Sequence, residues 1–333
     1  MTQIAIDATS IAQAGKGIGR VQRGTVRSLA AIGRHDLVVY LAEDVELEAP
    51  TVRVKRRPAL AWEQVGLRRA ARASDAVVTW TDRLPLGGAG RFVVWLFELP
   101  TSRIALNRQR RARPYQLASD LLTERLWRPS LRRAARVLAG SEATAAQLRV
   151  ALPELGDVAV LHPGVDEGFT PGRGREGRYV FHLASTDPRD NTETVTEAVR
   201  LANERLGEPI RLVVAGETGS FGRVSDDELL GLYRGAAAYL DASLFEGFGY
   251  QPLEAMACGS PVIASTACRE VVGEAGLLCD PRDAHAQADA LVRLLEAPGL
   301  PEELRRRGLE RAQEFSWERT AARLADVLDE VIA

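Results

Sequence analysis

Two glutamates, Glu246 and Glu254, stand eight residues apart on either side of a glycine-rich turn. They lie in the stretch Ser243–Ser265, SLFEGFGYQPLEAMACGSPVIAS. The loop Glu246-Gly247-Phe248-Gly249-Tyr250 carries the first, and its glycines let the backbone approach a ligand and adopt positive φ. A helix is expected from about Gln251-Pro252, since proline in a first turn sacrifices no helical hydrogen bond. It carries Leu253, Glu254, Ala255, Met256 and Ala257, and Gly259 and Pro261 end it. Pro261–Ala264 then reads as a short buried strand. A glycine-rich loop that feeds a helix N-terminus is a ready anion site, because free N–H groups and the positive end of the dipole face one way. Carboxylates beside it can bind hydroxyls or support a developing cation. The simpler use of Glu254 is to offset the helix dipole, worth roughly 0.3–1 kcal/mol.

A second glycine cluster stands near the start. Gly15-Lys16-Gly17-Ile18-Gly19-Arg20 follows an apolar strand, Gln3–Asp7, and precedes a helical stretch from about Val21 to Ile32. Strand, glycine loop and helix open a nucleotide-binding βαβ unit. The spacing is not the dinucleotide fingerprint, which weakens a dehydrogenase reading, and a plain turn is the alternative use of the glycines. The three cysteines (Cys258, Cys268, Cys279) and four histidines (His35, His162, His182, His285) have no zinc-ligand spacing. They read as reduced thiols of a cytoplasmic protein. The only lysines are Lys16 and Lys55, so a phosphate-binding cation in the second half must be an arginine.

The elements that position these groups alternate. Strands are expected at Leu37–Leu41, Thr51–Val54, Ala76–Trp80, Arg91–Leu96, Arg136–Ala139 and Val158–Leu161, with helices at Leu60–Ala73, about Tyr115 to Arg133 (interrupted near Pro129) and Glu142–Val150 capped by Ser141. HPGVDEGFTPGRGREG, residues 162–177, is glycine- and proline-rich and reads as a linker. The alternation then restarts: strands Arg178–Leu183, Ile210–Ala215 and Ala237–Leu240, and helices Thr192–Leu206, Ser225–Arg234 with a capping box, Ala284–Glu296, Glu302–Phe315 and Trp317–Ile332. With 333 residues, this predicts an α/β fold of two Rossmann-like domains facing each other across a cleft. The expected domains are residues 1–163 and 164–315, with the helix 316–333 packing back on the first. No secretory leader precedes Ile4, and no apolar run is long enough to span a bilayer.

The string EGFGYQPLEAMACGSPVIAS resembles the signature of the retaining glycosyltransferases of family 4, in which two glutamates frame a nucleotide-sugar site. Gly15–Arg20, VLAGSEATAAQL, HPGVDEGF, ASTDPRDNTETVTEA, VVAGE and VVGEAGLLCDP follow in that family's order. The resemblance implies the two-domain GT-B fold, with the acceptor on the first domain and the donor on the second. It implies that Glu246 faces the donor sugar and supports an oxocarbenium-like state. It also implies that the amides of Gly247, Phe248 and Gly249 hold the sugar, that Glu254 binds the ribose, and that Leu253 lines the donor site. Backbone around Gly222–Val224, Val224 included, would meet the nucleobase, and Gly17 and Gly19 the donor phosphate and sugar. Two positions depart. Where many members carry a phosphate-binding lysine, this chain has Asp190 in Asp187-Pro188-Arg189-Asp190-Asn191, so Arg189 is the nearest cation for the diphosphate, unless it pairs with Asp187 or Asp190. Where many carry a His-acid pair, only Glu98 stands, either an acceptor contact or a structural carboxylate. No Asp-x-Asp occurs, so no metal or other cofactor is expected beyond the nucleotide-sugar co-substrate. A nucleotide-sugar-binding subunit with little catalysis of its own is the alternative.

The formal net charge of −2 hides an asymmetry. Residues 1–150 hold 25 basic against 13 acidic side chains, a net +12. Between residues 101 and 136, ten arginines face only Asp120 and Glu124. That stripe, with Lys55-Arg56-Arg57 and Arg68-Arg69, suits a lipid-linked or acidic saccharide acceptor or peripheral contact with an anionic membrane at its cytoplasmic face. Attraction between the two domains would use the same charges. No nucleic-acid partner is expected.

Overall fold

The computed structural model describes residues 2–333 apart from 13–16, 48, 56–58, 88, 110–113, 217, 218, 220 and 223, and leaves the side chains of 59, 103, 106–109 and 114–116 undescribed. Gly15, Lys16, Arg56, Arg57, Arg110, Arg111 and Arg113 therefore lie outside the described residues. The chain forms two compact units, Met1–Gly164 with Trp317–Ala333, and Val165–Ser316.

The first unit is built on seven parallel strands: β1 (Gln3–Asp7), β2 (Asp36–Leu41), β3 (Thr51–Arg53), β4 (Ala76–Thr79), β5 (Phe92–Leu96), β6 (Arg136–Ala139) and β7 (Ala159–Val160), in the order β3-β2-β1-β4-β5-β6-β7. Ile4, Ala5, Ile6, Val77, Val78, Val93 and Val94 are fully buried, because both faces of a parallel sheet are covered. One cover is the helix Gly17–Ile32, against which the C-terminal helix Trp317–Ile332 packs. The contact is close because Gly24 has no side chain: a Cβ there would lie 2.0 Å from the Trp317 ring. His35 Nε2 bonds Asp329 at 2.8 Å, and Arg34 reaches Asp326 and Asp329.

Four local features differ from expectation. The first helix starts at Gly17, not Val21, so Gly17 and Gly19 form its first turn. Gln22 explains the register: its Nε2 donates to the Asp7 carbonyl at 3.1 Å and its Oε1 accepts from Ser10 N–H at 3.0 Å, tying the turn to β1. The helical segment Ala59–Ala73 contains a π-turn at Trp62–Gly66, made possible by Gly66, where a Cβ would strike the Trp62 ring at 2.0 Å. Pro129 does not interrupt the helix Pro114–Leu131; so near the C-terminus it removes a single backbone bond. The helix Pro100–Gln109 was not expected, its sequence showing no clear apolar stripe.

The second unit holds five parallel strands: β8 (Tyr179–Ala184), β9 (Arg211–Gly216), β10 (Ala238–Leu240), β11 (Val262–Ser265) and β12 (Leu277–Cys279), in the order β12-β11-β10-β8-β9. Short β12 was not anticipated. The chain leaves β8 for β9 on one side and returns to β10 on the other, which makes the gap beyond β8 and β10 a topological switch point, the usual ligand position in open α/β sheets. Ser225 and Glu228 form the expected capping box, and Ser141 caps its helix by accepting from Thr144 N–H. Among the described residues, no helix is long and apolar enough to cross a membrane.

Candidate functional site

The loops after β8 and β10 border the switch point of the second unit. The first runs Ser185–Asn191 into the helix Thr192–Asn203. The second runs Asp241–Gly249 into the helix Tyr250–Ala257. Tyr239 is in register with Phe181 of β8 and Val262 of β11, so both loops leave the sheet at the same level. Leu244 N–H donates to the Arg189 carbonyl at 2.8 Å, and Asn191 Nδ2 donates to the Ala242 carbonyl at 3.1 Å. Asn191 holds φ 54°, the one non-glycine with positive φ among the described residues, and its Oδ1 accepts from the Thr194 hydroxyl at 2.8 Å. His182, 1% exposed, props both loops through Leu240 O at 2.9 Å and Thr192 Oγ1 at 3.1 Å. Burial pushes its imidazole down, against the pull of Asp241.

Glu246 is half-buried at the centre of the second loop. Burial, and then the neighbouring Asp241, push its carboxyl up to about 8, while a hydrogen bond with the Ser243 side chain and the Arg189 charge act the other way. Gly247 is half-buried beside it. Phe248 is buried in edge contacts with Tyr250, centroids 5.2 Å apart, and Phe315, 5.6 Å. Gly249 takes φ 101° as the helix cap, facing Cys268 and Val271. That left-handed cap starts the helix at Tyr250, one residue before the position expected, and turns its first-turn N–H groups toward the loop.

The remaining expected residues take different places. Glu254 is 2% exposed, and its Oε2 accepts from the Tyr233 hydroxyl at 3.1 Å. Leu253 is fully buried and its N–H donates to the Gly249 carbonyl at 3.3 Å, so it packs the base of the site. Arg189 grips Asp187 Oδ2 through Nε at 3.1 Å and Nη2 at 2.8 Å. Asp190 turns inward, where Oδ2 accepts from Ser185 N–H at 2.5 Å and Ser185 Oγ at 2.7 Å; burial raises its carboxyl against those bonds. Val224 is half-buried just past Gly222, whose φ of 73° and carbonyl bond from Gly216 N–H (2.8 Å) close the turn after β9. Gly17, Gly19 and Glu98 belong to the first unit. Gly17 is exposed, Gly19 buried, and Glu98 half-buried between β5 and the helix Pro100–Gln109.

Sequence reasoning missed two buried acids at strand ends. Asp241 directly follows β10 and is 1% exposed. Asp7 ends β1, where Oδ1 accepts from Thr9 Oγ1 at 2.9 Å and Trp62 Nε1 at 3.1 Å and Oδ2 from Thr79 Oγ1 at 2.8 Å; burial raises its carboxyl. Nearby, Glu63 and Arg83 form a buried ion pair at 2.7 Å. An acidic residue at the carboxyl end of a predicted strand was the available signal for both. Among the described residues, no group of three or more His, Cys, Asp or Glu is placed to hold a metal ion.

Residues 177–297 match the family model described as Glycosyl transferases group 1. The O-antigen chain mannosyltransferase B of Escherichia coli is 32% identical over 162 residues, 42% of this chain and 42% of that protein. A D-inositol 3-phosphate glycosyltransferase of Actinosynnema mirum is 33% identical over 235 residues, 57% of this chain and 56% of that protein. The chain thus spans about half the length of the curated relatives it matches. Among solved structures, sucrose-phosphate synthase from Thermosynechococcus elongatus superposes with a TM-score of 0.76 at 20% identity, covering 99% of both chains. Anabaena HepE in complex with UDP and glucose gives 0.71 at 15% identity, covering 99% of this chain and 100% of that one. WaaG, a glycosyltransferase involved in lipopolysaccharide biosynthesis, gives 0.72 at 17% identity, covering 98% of this chain and 99% of that one. At these identities the structures establish a shared fold.

Proposed function

We propose that this chain, whose residues 177–297 match the group 1 glycosyl transferase model and whose fold is shared with GT-B glycosyltransferases, moves a hexosyl or deoxyhexosyl group, with retention, from a nucleoside-diphosphate sugar to a saccharide or lipid-linked acceptor. The observation that carries the proposal is Glu246, a half-buried carboxyl on a glycine loop that feeds a helix N-terminus at a switch point. Glycosyl transfer with retention passes through a cationic sugar, which a carboxylate stabilises. The departing diphosphate gains from N–H dipoles and a guanidinium, here the helix Tyr250–Ala257 and Arg189. That assignment needs no metal. Glu254, its rotamer held by Tyr233, is assigned the ribose hydroxyls.

The test is a thermal-shift panel of UDP-, GDP-, ADP- and dTDP-sugars on the full chain, followed by donor hydrolysis. At least one donor should stabilise the protein and be turned over, and Glu246→Gln should keep the binding while losing about a hundredfold or more in turnover. Binding without turnover in the native chain would favour the binding-subunit alternative. No stabilisation by any donor would remove the proposal.

We further propose cytoplasmic work on cell-surface polysaccharide at an anionic membrane face. Support comes from the first unit, where Leu60, Val65, Leu86, Leu117 and Leu121 are exposed large apolar side chains and Arg125, Arg128, Arg132 and Arg133 are exposed cations. Liposome co-sedimentation should show salt-sensitive binding to anionic vesicles. Equal binding to neutral vesicles would contradict it.

A further inference from the structure

The open edge of the second sheet carries a cavity that the donor reading does not use. β12 is the last strand in the order and pairs only with β11, Leu277 lying opposite Ile263 and Cys279 opposite Ser265. In a parallel ladder alternate residues point their N–H and carbonyl groups away from the neighbouring strand, so part of the β12 main chain faces outward. The helix Ala284–Glu296 packs on β12 and turns one face to that edge, with Ala286, Ala290 and Arg293 at helical spacing. The alanines leave room there. Helix and strand together border a cavity of about 470 Å³, a volume typical of small-molecule sites. Arg269, at the start of the short helix Arg269–Val272, reaches the same cavity.

The charges at this cavity do not cancel. Arg269 and Arg293 are exposed, and neither guanidinium has a hydrogen bond or ion pair among the described residues. Arg200, Arg205 and Arg306 of the same unit, by contrast, each hold a carboxylate. Two acids line the cavity. Asp289 is engaged by Arg205, which leaves the exposed Glu274 against two guanidiniums. We propose that this cavity is a second ligand site, one that takes a small phosphorylated molecule and holds its phosphate with Arg269 and Arg293. A guanidinium fork matches phosphate oxygens in pairs. A phosphate monoester carries roughly −1.5 to −2 charge and three acceptor oxygens, enough for both forks and an outward β12 amide. A carboxylate has fewer oxygens and less charge to divide between them. Glu274 and the outward carbonyls of β12 suit hydroxyls on the rest of the ligand. The site stands at the sheet edge, two strands from β10, and does not rest on the donor reading.

The experiment reads the cavity through Cys279, which lines it and whose Sγ donates to the Ala286 carbonyl at 3.7 Å. Cys258 and Cys268 are buried, so a small alkylating reagent should mark Cys279 first, and peptide mass analysis locates the label. Iodoacetamide labelling of the full chain is timed with and without glucose 6-phosphate or inorganic phosphate, at millimolar concentration and constant ionic strength, with glucose as the neutral control. Both phosphates should slow labelling of Cys279 severalfold, and glucose should leave it unchanged. Arg269→Ala combined with Arg293→Ala should abolish the protection and melt as the native chain does, since both side chains are exposed. Arg189→Ala should keep the protection, which separates this cavity from the loops after β8 and β10. Isothermal titration of glucose 6-phosphate into Arg189→Ala, with and without the two arginine substitutions, makes the same comparison without a label. Absence of protection and of heat with either phosphate overturns the proposal, as does binding that survives loss of both arginines. A native dimer that dissociates when Cys279 is labelled would make the β12 edge an interface between copies and would equally overturn it.

Discussion

Replacing Asp187 by asparagine should tighten the binding of nucleoside diphosphates. Arg189 is the cation assigned to the leaving group, yet its guanidinium is held by Asp187 Oδ2 through two bonds, at 3.1 and 2.8 Å. A diphosphate must displace that carboxylate. The two side chains are 32% and 18% exposed, so solvent screens the pair and its worth is on the order of 1 kcal/mol. Asparagine retains the Oδ1 that accepts Arg189 N–H at 2.9 Å, so the turn after β8 keeps its cap while the competing charge is lost. Returning about 1 kcal/mol to the ligand corresponds to roughly fivefold in Kd. Isothermal titration of the native chain and Asp187→Asn with UDP, GDP, ADP and dTDP would measure it. The gain should shrink at raised salt, because the interactions are partly exposed. Arg189→Ala should weaken binding in both backgrounds. If Asp187→Asn melts normally and binds every nucleotide no tighter than the native chain, Arg189 is a loop strut and the diphosphate is held by something else.

Glu246 also predicts a pH dependence of stability. Its folded-state value of about 8 exceeds the ordinary 4.5, so its contribution is fully present below about 4.5 and is lost as pH rises through about 8. Across that window the native chain should lose stability relative to Glu246→Gln by up to ~1.4 kcal/mol per pH unit, less where water screens the half-buried group. Parallel melting profiles would refute this. Gly24→Ala would place a Cβ 2.0 Å from the rigid Trp317 ring between two packed helices. Chemical denaturation should show a loss of about 2 kcal/mol or more, and a loss within ~0.5 kcal/mol would mean that the helices separate freely.

Much of the fold is legible because buried parallel strands are nearly uniform in composition. Phe92–Leu96 and Arg136–Ala139 stand out as apolar runs, and Ser225 to Glu228 announces its own helix start. What escaped depends on contacts distant in sequence. The π-turn at Trp62–Gly66 exists because Gly66 leaves room for the Trp62 ring and because Trp62 Nε1 reaches Asp7 at the end of β1. The helix at Gly17 begins among glycines, which local propensity disfavours, because Gln22 ties that turn to the sheet. The site divides in the same way. The spacing of Glu246 and Glu254 on a glycine loop is visible in one dimension. Asp241 gains meaning only once β10 lies beside β8, since that order brings the loop of Glu246 against Arg189 and Asp190.

Asp190 lies in the loop after β8, beside the residues assigned to the diphosphate, and its surroundings show how this chain accommodates a carboxyl group there. A carboxylate facing a diphosphate would repel it. Here Asp190 is instead spent on Ser185, whose N–H and hydroxyl both bond it, and burial raises its affinity for a proton. Asp187 is spent on Arg189. Asp241 accepts from Ser243, and burial raises the Glu246 carboxyl. Of the acids in these two loops, Asp187 holds the Arg189 guanidinium, while Asp190 and Asp241 are bonded by serines. The capacity of this site for an anion therefore depends on how its carboxyl groups are hydrogen-bonded as well as on Arg189. A lysine restored at position 190 would abolish the Ser185 contacts as it adds charge, so Asp190→Lys disrupts the turn after β8 before it can serve a phosphate.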